Sequence, residues 1–267
     1  MDDTITANGL RLAAHIALPT GAGLAGGGLA GGGPVPAVVI CHGFPRGPRG
    51  AITSAATYPE LADRIARDAG WVALTFNFRG TGTSEGDFSV GGWLADLRAV
   101  LDHVESRDDV RDLWLIGIAE GGTLAVCAAA RDPRVRGVAT MAAPTVLREL
   151  GREPSRMLAT ARSMGMVKSP DAPDDLIPWA REIARIDAVA AARELAPRPL
   201  LVLHGSDDDA IDPANAVELA AAGGADAELR IVFAAGHRLR HDPRAVAALL
   251  GWLDRQTYVE SESVSRS

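Results

Sequence analysis

From Pro36 onward, short and nearly continuous apolar runs alternate with segments whose apolar residues recur at helical spacing. Runs that are apolar at almost every position are typical of strands buried on both faces, as in a parallel sheet between two layers of helices. The pattern predicts an α/β fold with a mostly parallel, twisted sheet. Its strands are expected at 36–41, 71–77, 112–117, 137–142, 199–204 and 228–233. Helices are expected in the gaps, most clearly at 57–69, 92–106, 121–131, 213–222 and 243–255.

Two segments precede this pattern. Residues 4–18 contain short stretches of alternating apolar and polar residues around Asn8-Gly9, a dipeptide that tolerates the positive φ angles of a hairpin turn. They predict an opening β-hairpin. Residues 19–34 are a Gly/Ala low-complexity stretch, which predicts a surface loop. A strand rather than a helix comes next, so this stretch is not a phosphate-binding loop.

The longest interruption of the strand pattern is 145–198, between the fourth and fifth predicted strands. It contains two helical patterns, at 145–165 and 174–195, and is too small to build a core of its own. We expect it to form a helical lid over the sheet. The chain is therefore expected to form a single domain over 1–267, ending in a disordered tail at 257–267.

The composition is that of a globular protein, with 267 residues of which 47% are hydrophobic. The net charge is −7 and there is no basic block, so a nucleic-acid partner is not expected. No apolar run is long enough to cross a membrane, and two acids stand near the start where a secretory signal would be basic. This predicts a cytoplasmic protein without a membrane partner, and leaves a homo-oligomer open. Cys41 and Cys127 lie far apart in apolar stretches, which predicts buried thiols.

The most informative segment follows the strand predicted at 112–117. The turn Gly117-Ile118-Ala119-Glu120-Gly121 leads from that strand into a helix of small apolar residues. This is the context of the G-x-S-x-G nucleophile turn, in which the central residue is strained and exposed above the sheet. Here the central residue is Ala119. Taken alone, the segment is also compatible with ordinary turn glycines.

Other predicted strand ends carry further motifs. The first strand ends in His-Gly-Phe within 40–44, and a Gly-rich turn at 77–86 follows the second. His-Gly-Ser and three aspartates occupy 204–209, and Ala-Gly-His occupies 235–237. With the turn at Ala119, these motifs resemble the α/β-hydrolase superfamily, specifically its small esterase and serine-aminopeptidase-like members. The resemblance covers about residues 4–256.

The resemblance implies hydrolysis of ester or amide bonds in small acyl substrates through a Ser-Asp-His triad, with neither a metal nor an organic cofactor. Ala119 takes the nucleophile position, Asp208 that of the acid and His237 that of the base, in the chain order of this superfamily. We prefer Asp208 among three consecutive aspartates.

Neighbouring residues leave alternatives for the acid and the base. Asp207 and Asp209 flank the preferred acid, and the run could equally be a solvated turn. His241 lies close to His237 in sequence, but it precedes the start of the last predicted helix and is expected at the surface.

The resemblance also implies an oxyanion hole and a substrate pocket. The backbone N–H groups of Phe44 and Glu120 would stabilise the charge of the tetrahedral intermediate. His42 and Gly43 of the same loop are expected to contact substrate. In the lid, Met164 and Trp179 are the apolar side chains expected to line the pocket, while core packing is the alternative for them.

Ala119 has no hydroxyl from which a base could remove a proton, so an acyl-enzyme at this position is excluded. Thr123 and Cys127 follow on the same helix and are expected to point into helix packing. Glu120 is the most interesting substitute, because its carboxylate could act as a base beside His237.

Three hypotheses remain. The first is that the chain is a hydrolase whose nucleophile has been replaced by Ala119. The second is that it is a binding protein that keeps the pocket. The third is that it is an enzyme that activates water directly with His237 and Asp208.

Overall fold

A single sheet of eight strands organises the part of the chain that the computed structural model describes, residues 1–19, 33–45, 48–147 and 152–264. The strands are β1 (Asp2–Ala7), β2 (Leu10–Ala17), β3 (Val35–Cys41), β4 (Val72–Phe76), β5 (Val110–Ile118), β6 (Val135–Met141), β7 (Leu200–Gly205) and β8 (Ala227–Val232). Their order across the sheet is β1-β2-β4-β3-β5-β6-β7-β8. The pairs β1–β2 and β2–β4 are antiparallel, and every other pair is parallel. The predicted opening hairpin and mostly parallel sheet are confirmed.

Helices cover both faces of this sheet. They are α1 (Pro48–Ala69), α2 (Val90–Glu105), α3 (Glu120–Arg131), α4 (Pro154–Ser163), α5 (Leu176–Ala184), α6 (Ala188–Leu195), α7 (Ala214–Gly223) and α8 (Pro243–Val264). Apolar side chains of α1 and α8 form one core layer, and those of α2 to α7 form the other. None of the described helices is long and apolar enough to cross a membrane.

The central strand β3 shows why its sequence is apolar throughout. Every residue of β3 is buried. Val39 and Cys41 pack into one core layer, whereas Val38 and Ile40 pack into the other. Burying an aliphatic side chain of this size stabilises the fold by about 1.5–3 kcal/mol, so neither face of the strand tolerates a polar residue. Both cysteines of the sequence are buried free thiols, as predicted.

Two parts of the predicted lid differ from expectation. Of the helix predicted over 145–165, the described residues contain α4, and positions 148–151 lie outside them. The helix predicted over 174–195 is divided into α5 and α6. The division falls at Asp187, which is extended (φ −140°) and whose carboxylate accepts a hydrogen bond from the Ala190 N–H at 2.9 Å. Asp187 therefore ends the helical run and caps a new helix. Its backbone also forms an isolated bridge with Val146.

The C-terminal tail also differs from its prediction. The last helix continues to Val264, so the tail predicted as disordered at 257–267 is helical as far as that residue. The Trp71 indole donates a hydrogen bond to the Thr257 hydroxyl at 3.0 Å, which attaches this extension to the sheet. Of the predicted loop at 19–34, positions 20–32 lie outside the described residues.

The parallel strands place the predicted site residues along one edge of the sheet. β3, β5, β7 and β8 all point the same way, so their carboxyl ends meet at that edge. His42 follows β3, Ala119 follows β5, Asp208 lies shortly after β7, and His237 lies shortly after β8. Segments far apart in sequence are thereby brought to the same end of the sheet.

Candidate active site

Ala119 occupies a strained turn between β5 and α3. Its backbone has φ +50° and ψ −127°, which L side chains rarely adopt and which costs of order 1–3 kcal/mol. The glycines around it are required by close packing. A Cβ on Gly117 would lie 2.3 Å from the Gly122 Cα, and one on Gly121 would lie 2.4 Å from the His42 carbonyl oxygen. The turn is therefore a tightly packed strand–turn–helix connection with a strained alanine at its centre.

Asp208 and His237 form a hydrogen-bonded pair. The Asp208 Oδ2 lies 3.0 Å from the His237 Nδ1, while its Oδ1 accepts hydrogen bonds from the Ala210 N–H at 2.9 Å and the Ile211 N–H at 3.0 Å. Burial raises the pKa of Asp208, but the hydrogen bonds from Ile211, His237 and Ala210 outweigh burial and leave that pKa below its ordinary value. An ionised Asp208 fixes the proton of His237 on Nδ1, which leaves Nε2 as the basic nitrogen.

The two neighbouring aspartates are placed differently. Asp207 and Asp209 are exposed, whereas the Asp208 side chain is fully buried. The Asp207 carboxylate accepts a hydrogen bond from the Ser206 hydroxyl at 2.6 Å. His241 is exposed at the end of a short 3-10 turn, as predicted. Of these candidates, the structure brings together Asp208 and His237.

A second histidine behind Asp208 was not predicted to contribute. The Nε2 of His204 lies 2.9 Å from the Ile211 carbonyl oxygen and 3.2 Å from the Asp208 Oδ2, and its side chain is fully buried. A carbonyl oxygen only accepts, so Nε2 carries the proton and donates. His204 thus holds the loop that carries Asp208. The sequence signal was its position at a strand end, four residues before that aspartate.

The predicted oxyanion region contains an unexpected contact. The backbone N–H of Phe44 donates a hydrogen bond to the Glu120 Oε2 at 2.9 Å. A Cβ on Gly43 would lie 2.7 Å from the same Oε2 and 2.8 Å from the Ala119 Cβ. The loop after β3, the residue at position 119 and the Glu120 carboxylate therefore share one small space. The sequence predicted a role for the Glu120 backbone and left open one for its side chain.

His42 supports the loop through buried hydrogen bonds, and its contact with substrate stays a prediction. Its side chain is buried, its Nδ1 lies 2.7 Å from the Gly43 carbonyl oxygen, and the Phe78 N–H donates to its Nε2 at 3.2 Å. Burial lowers the pKa of His42 to about 4, against the opposing effect of the hydrogen bond to Gly43. A neutral ring with its proton on Nδ1 matches both contacts. Trp93 packs edge-on against this ring.

The lid side chains pack against the body of the protein. Trp179 is buried, and its indole donates a hydrogen bond to the Phe88 carbonyl oxygen at 3.2 Å. The Phe88 ring in turn lies 5.2 Å from the Phe44 ring between centroids. Met164 is partly buried against the same core layer. Their contact with substrate stays a prediction, but Trp179 connects the lid to the loop that carries Phe44.

Neither the neighbouring hydroxyl nor the thiols are placed as substitute nucleophiles. Thr123 is buried and donates its hydroxyl to the Pro144 carbonyl oxygen at 2.5 Å, in agreement with the prediction that it points into helix packing. Burial raises the pKa of Cys127 to about 11 and raises that of Cys41 further. Thiols held protonated in this way are poor nucleophiles. Within the described ranges, no group of three or more His, Cys, Asp or Glu side chains is arranged to hold a metal ion.

The mostly parallel eight-stranded sheet and its two helical layers define an α/β-hydrolase-fold protein. Comparison with family models supports this class, because residues 61–259, well over half of the chain, match the model of the prolyl oligopeptidase family. The chain belongs to the prolyl oligopeptidase family. Comparison with curated protein sequences finds no match.

Solved structures show the same fold. Est1E from Butyrivibrio proteoclasticus, determined with bound ferulic acid, has a TM-score of 0.69 and 20% identity over 96% of this chain and 98% of its own. The Pyrococcus furiosus esterase Pf2001 has a TM-score of 0.66 and 17% identity, covering 96% of this chain and 90% of its own. The esterase domain of a Rhodothermus marinus protein has a TM-score of 0.65 and 23% identity, covering 96% of each chain. Family and neighbours together connect this fold with the hydrolysis of ester or amide bonds.

Proposed function

We propose that this protein binds small ester or amide substrates in a hydrolase site that keeps its acid–base pair and lacks its nucleophile. The observation that carries the proposal is the strained turn at Ala119, present at the same sheet edge as the hydrogen-bonded Asp208 and His237. Backbone strain of this kind persists only where the surrounding structure enforces it, and it is concentrated at functional sites. The methyl group of alanine has no reactive atom that this conformation could present to a substrate. The turn is therefore suited to a nucleophilic side chain, which Ala119 lacks.

The missing step would join position 119 to His237. A hydroxyl at position 119 would attack the substrate carbonyl carbon while the Nε2 of His237 took its proton. Ionised Asp208 would stabilise the resulting imidazolium, and backbone N–H groups would stabilise the oxyanion. Collapse of the tetrahedral intermediate would return the proton to the leaving group and form an ester on the hydroxyl, which water then cleaves. With Ala119 no such ester forms, and removing only the serine of subtilisin costs about 10⁶ in kcat.

The test is steady-state hydrolysis by the parent chain, Ala119→Ser, and the double variants A119S/H237A and A119S/H241A. Substrates are p-nitrophenyl acetate and octanoate, methyl ferulate, which is chosen because Est1E binds ferulic acid, and a p-nitroanilide amide. We expect A119S to exceed the parent by at least about 10³-fold on one of them. A119S/H237A should lose this gain. A119S/H241A is the matched control and should keep it, because His241 is exposed.

Two results would contradict the proposal. If the parent chain hydrolyses these substrates as fast as A119S and loses the activity on His237→Ala, His237 activates water directly and no nucleophile is missing. If A119S stays inactive on all four substrates while folding normally, the site is not a hydrolase site awaiting a hydroxyl.

A further inference from the structure

We propose that the Glu120 side chain closes the oxyanion hole in the resting protein, and that a substrate carbonyl must displace it to bind. The inference rests on the proposed function, because it concerns the same site. Glu120 directly follows Ala119 and begins α3. A residue at this position ordinarily contributes only its backbone N–H to the hole. Here its side chain also turns back toward the loop after β3.

The geometry places the carboxylate where the oxyanion would lie. Its Oε2 accepts a hydrogen bond from the Phe44 N–H at 2.9 Å, and this N–H is the predicted second donor of the hole. A Cβ on Gly43 would meet three atoms at once: the Glu120 Oε2 at 2.7 Å, the Ala119 Cβ at 2.8 Å and the Ile118 carbonyl oxygen at 2.9 Å. The carboxylate oxygen therefore lies in the narrow space between the turn at Ala119 and the loop. A carbonyl oxygen bound above position 119 would need the same space.

Tyr58 and Arg240 are neighbours of this loop within the described part of the chain. Tyr58 is buried next to this loop, its ring 6.1 Å from that of His42 between centroids. Burial raises the pKa of Tyr58 to about 12, the Glu120 charge adds to that effect, and Arg240 opposes it. The Arg240 guanidinium lies over the Tyr58 ring, 5.1 Å from its centroid. The Phe44 N–H supplies the Glu120 carboxylate with a charge-assisted hydrogen bond.

Closure affects catalysis in two ways. The Phe44 N–H cannot direct its hydrogen toward a substrate oxygen while it donates to Glu120. A tetrahedral oxyanion would also form beside a carboxylate of the same charge, which opposes the stabilisation that the hole provides. Glu120 must therefore turn away before a carbonyl is polarised. The alternative is that the Glu120 carboxylate supports the loop after β3 in the position that catalysis requires.

Activity measurements in the Ala119→Ser background distinguish closure of the oxyanion hole by Glu120 from support of the loop by Glu120. One donor of an oxyanion hole is worth about 10²–10³ in kcat, so releasing Phe44 should raise kcat/KM of A119S/E120A at least about tenfold over A119S. A119S/E120Q loses the charge but keeps an oxygen acceptor, and its gain should be smaller. A119S/E194A is the matched control, since Glu194 is exposed on α6, and it should equal A119S. If A119S/E120A and A119S/E120Q are no more active than A119S, the proposal that Glu120 closes the oxyanion hole is overturned.

A second measurement does not depend on activity. In ¹⁵N–¹H spectra of the parent chain, the Phe44 amide proton should resonate downfield because it donates to a carboxylate. Glu120→Ala should shift it upfield, whereas Glu194→Ala should leave it in place. A Phe44 resonance that is unmoved by Glu120→Ala would overturn the closure. If the resonance moves and A119S is inactive, the proposed function fails while the closure stands.

Discussion

Asp208 gives a sharp test of how the site is held together. One carboxylate oxygen is hydrogen-bonded to His237 and the other accepts from the Ala210 and Ile211 N–H groups, all with the side chain buried. Asp208→Asn keeps the shape and removes the charge. Hydrogen bonds to charged groups are worth about 1.5–3 kcal/mol, against about 0.5–1.5 for neutral ones. We therefore expect D208N to lower the free energy of unfolding by about 1–2 kcal/mol at neutral pH.

The effect should depend on pH with a definite sign. The pKa of folded Asp208 lies below its ordinary value, so its stabilisation is present at neutral pH and is lost as the pH falls through the folded-state pKa. Urea unfolding of the parent and D208N should differ near pH 7 and converge as the pH falls through the lowered pKa of folded Asp208. Asp207→Asn is the matched control, because Asp207 is exposed. Equal stability of D208N and D207N, or a deficit of D208N that persists unchanged in acid, would contradict a stabilising charge on Asp208.

Three further predictions concern the surroundings of the site. Ala119→Gly relieves the positive φ and should raise the free energy of unfolding by about 1 kcal/mol in urea titrations; a destabilised variant would contradict the strain. His42→Ala removes a buried ring with two hydrogen-bonded nitrogens and should cost about 2–4 kcal/mol in the same assay, so a loss below about 0.5 kcal/mol would contradict its supporting role. Cys41 and Cys127 should react with a disulfide reagent only after unfolding, and rapid thiol titration of the native protein would disprove their burial.

The sheet was predictable because its signals are local. A strand buried on both faces must be apolar at nearly every position, and β3 and the last six residues of β5 show this in their sequences. The strained turn at Ala119 was predictable for a similar reason, since Gly117 and Gly121 are required by backbone contacts within the strand–turn–helix unit and its neighbour.

The contacts that refine the site depend on residues distant in sequence. Glu120 meets the Phe44 N–H across 76 positions, and nothing in the local pattern indicates which way its side chain turns. His204 acquires its role only because the loop after β7 folds back to bring Asp208 and Ile211 against it. The break between α5 and α6 likewise follows from the capping and strand-bridge contacts of Asp187.

On the proposed function, one hydroxyl separates this site from a working hydrolase. The most direct measurement is intact-protein mass spectrometry after incubation with a fluorophosphonate, followed by peptide mapping. We predict a single adduct at position 119 in A119S, none in the parent chain, and none in A119S/H237A, because the reagent requires a nucleophile activated by His237. An A119S variant that folds normally and stays unlabelled would contradict the claim, as would a parent chain that is labelled at another residue of the site.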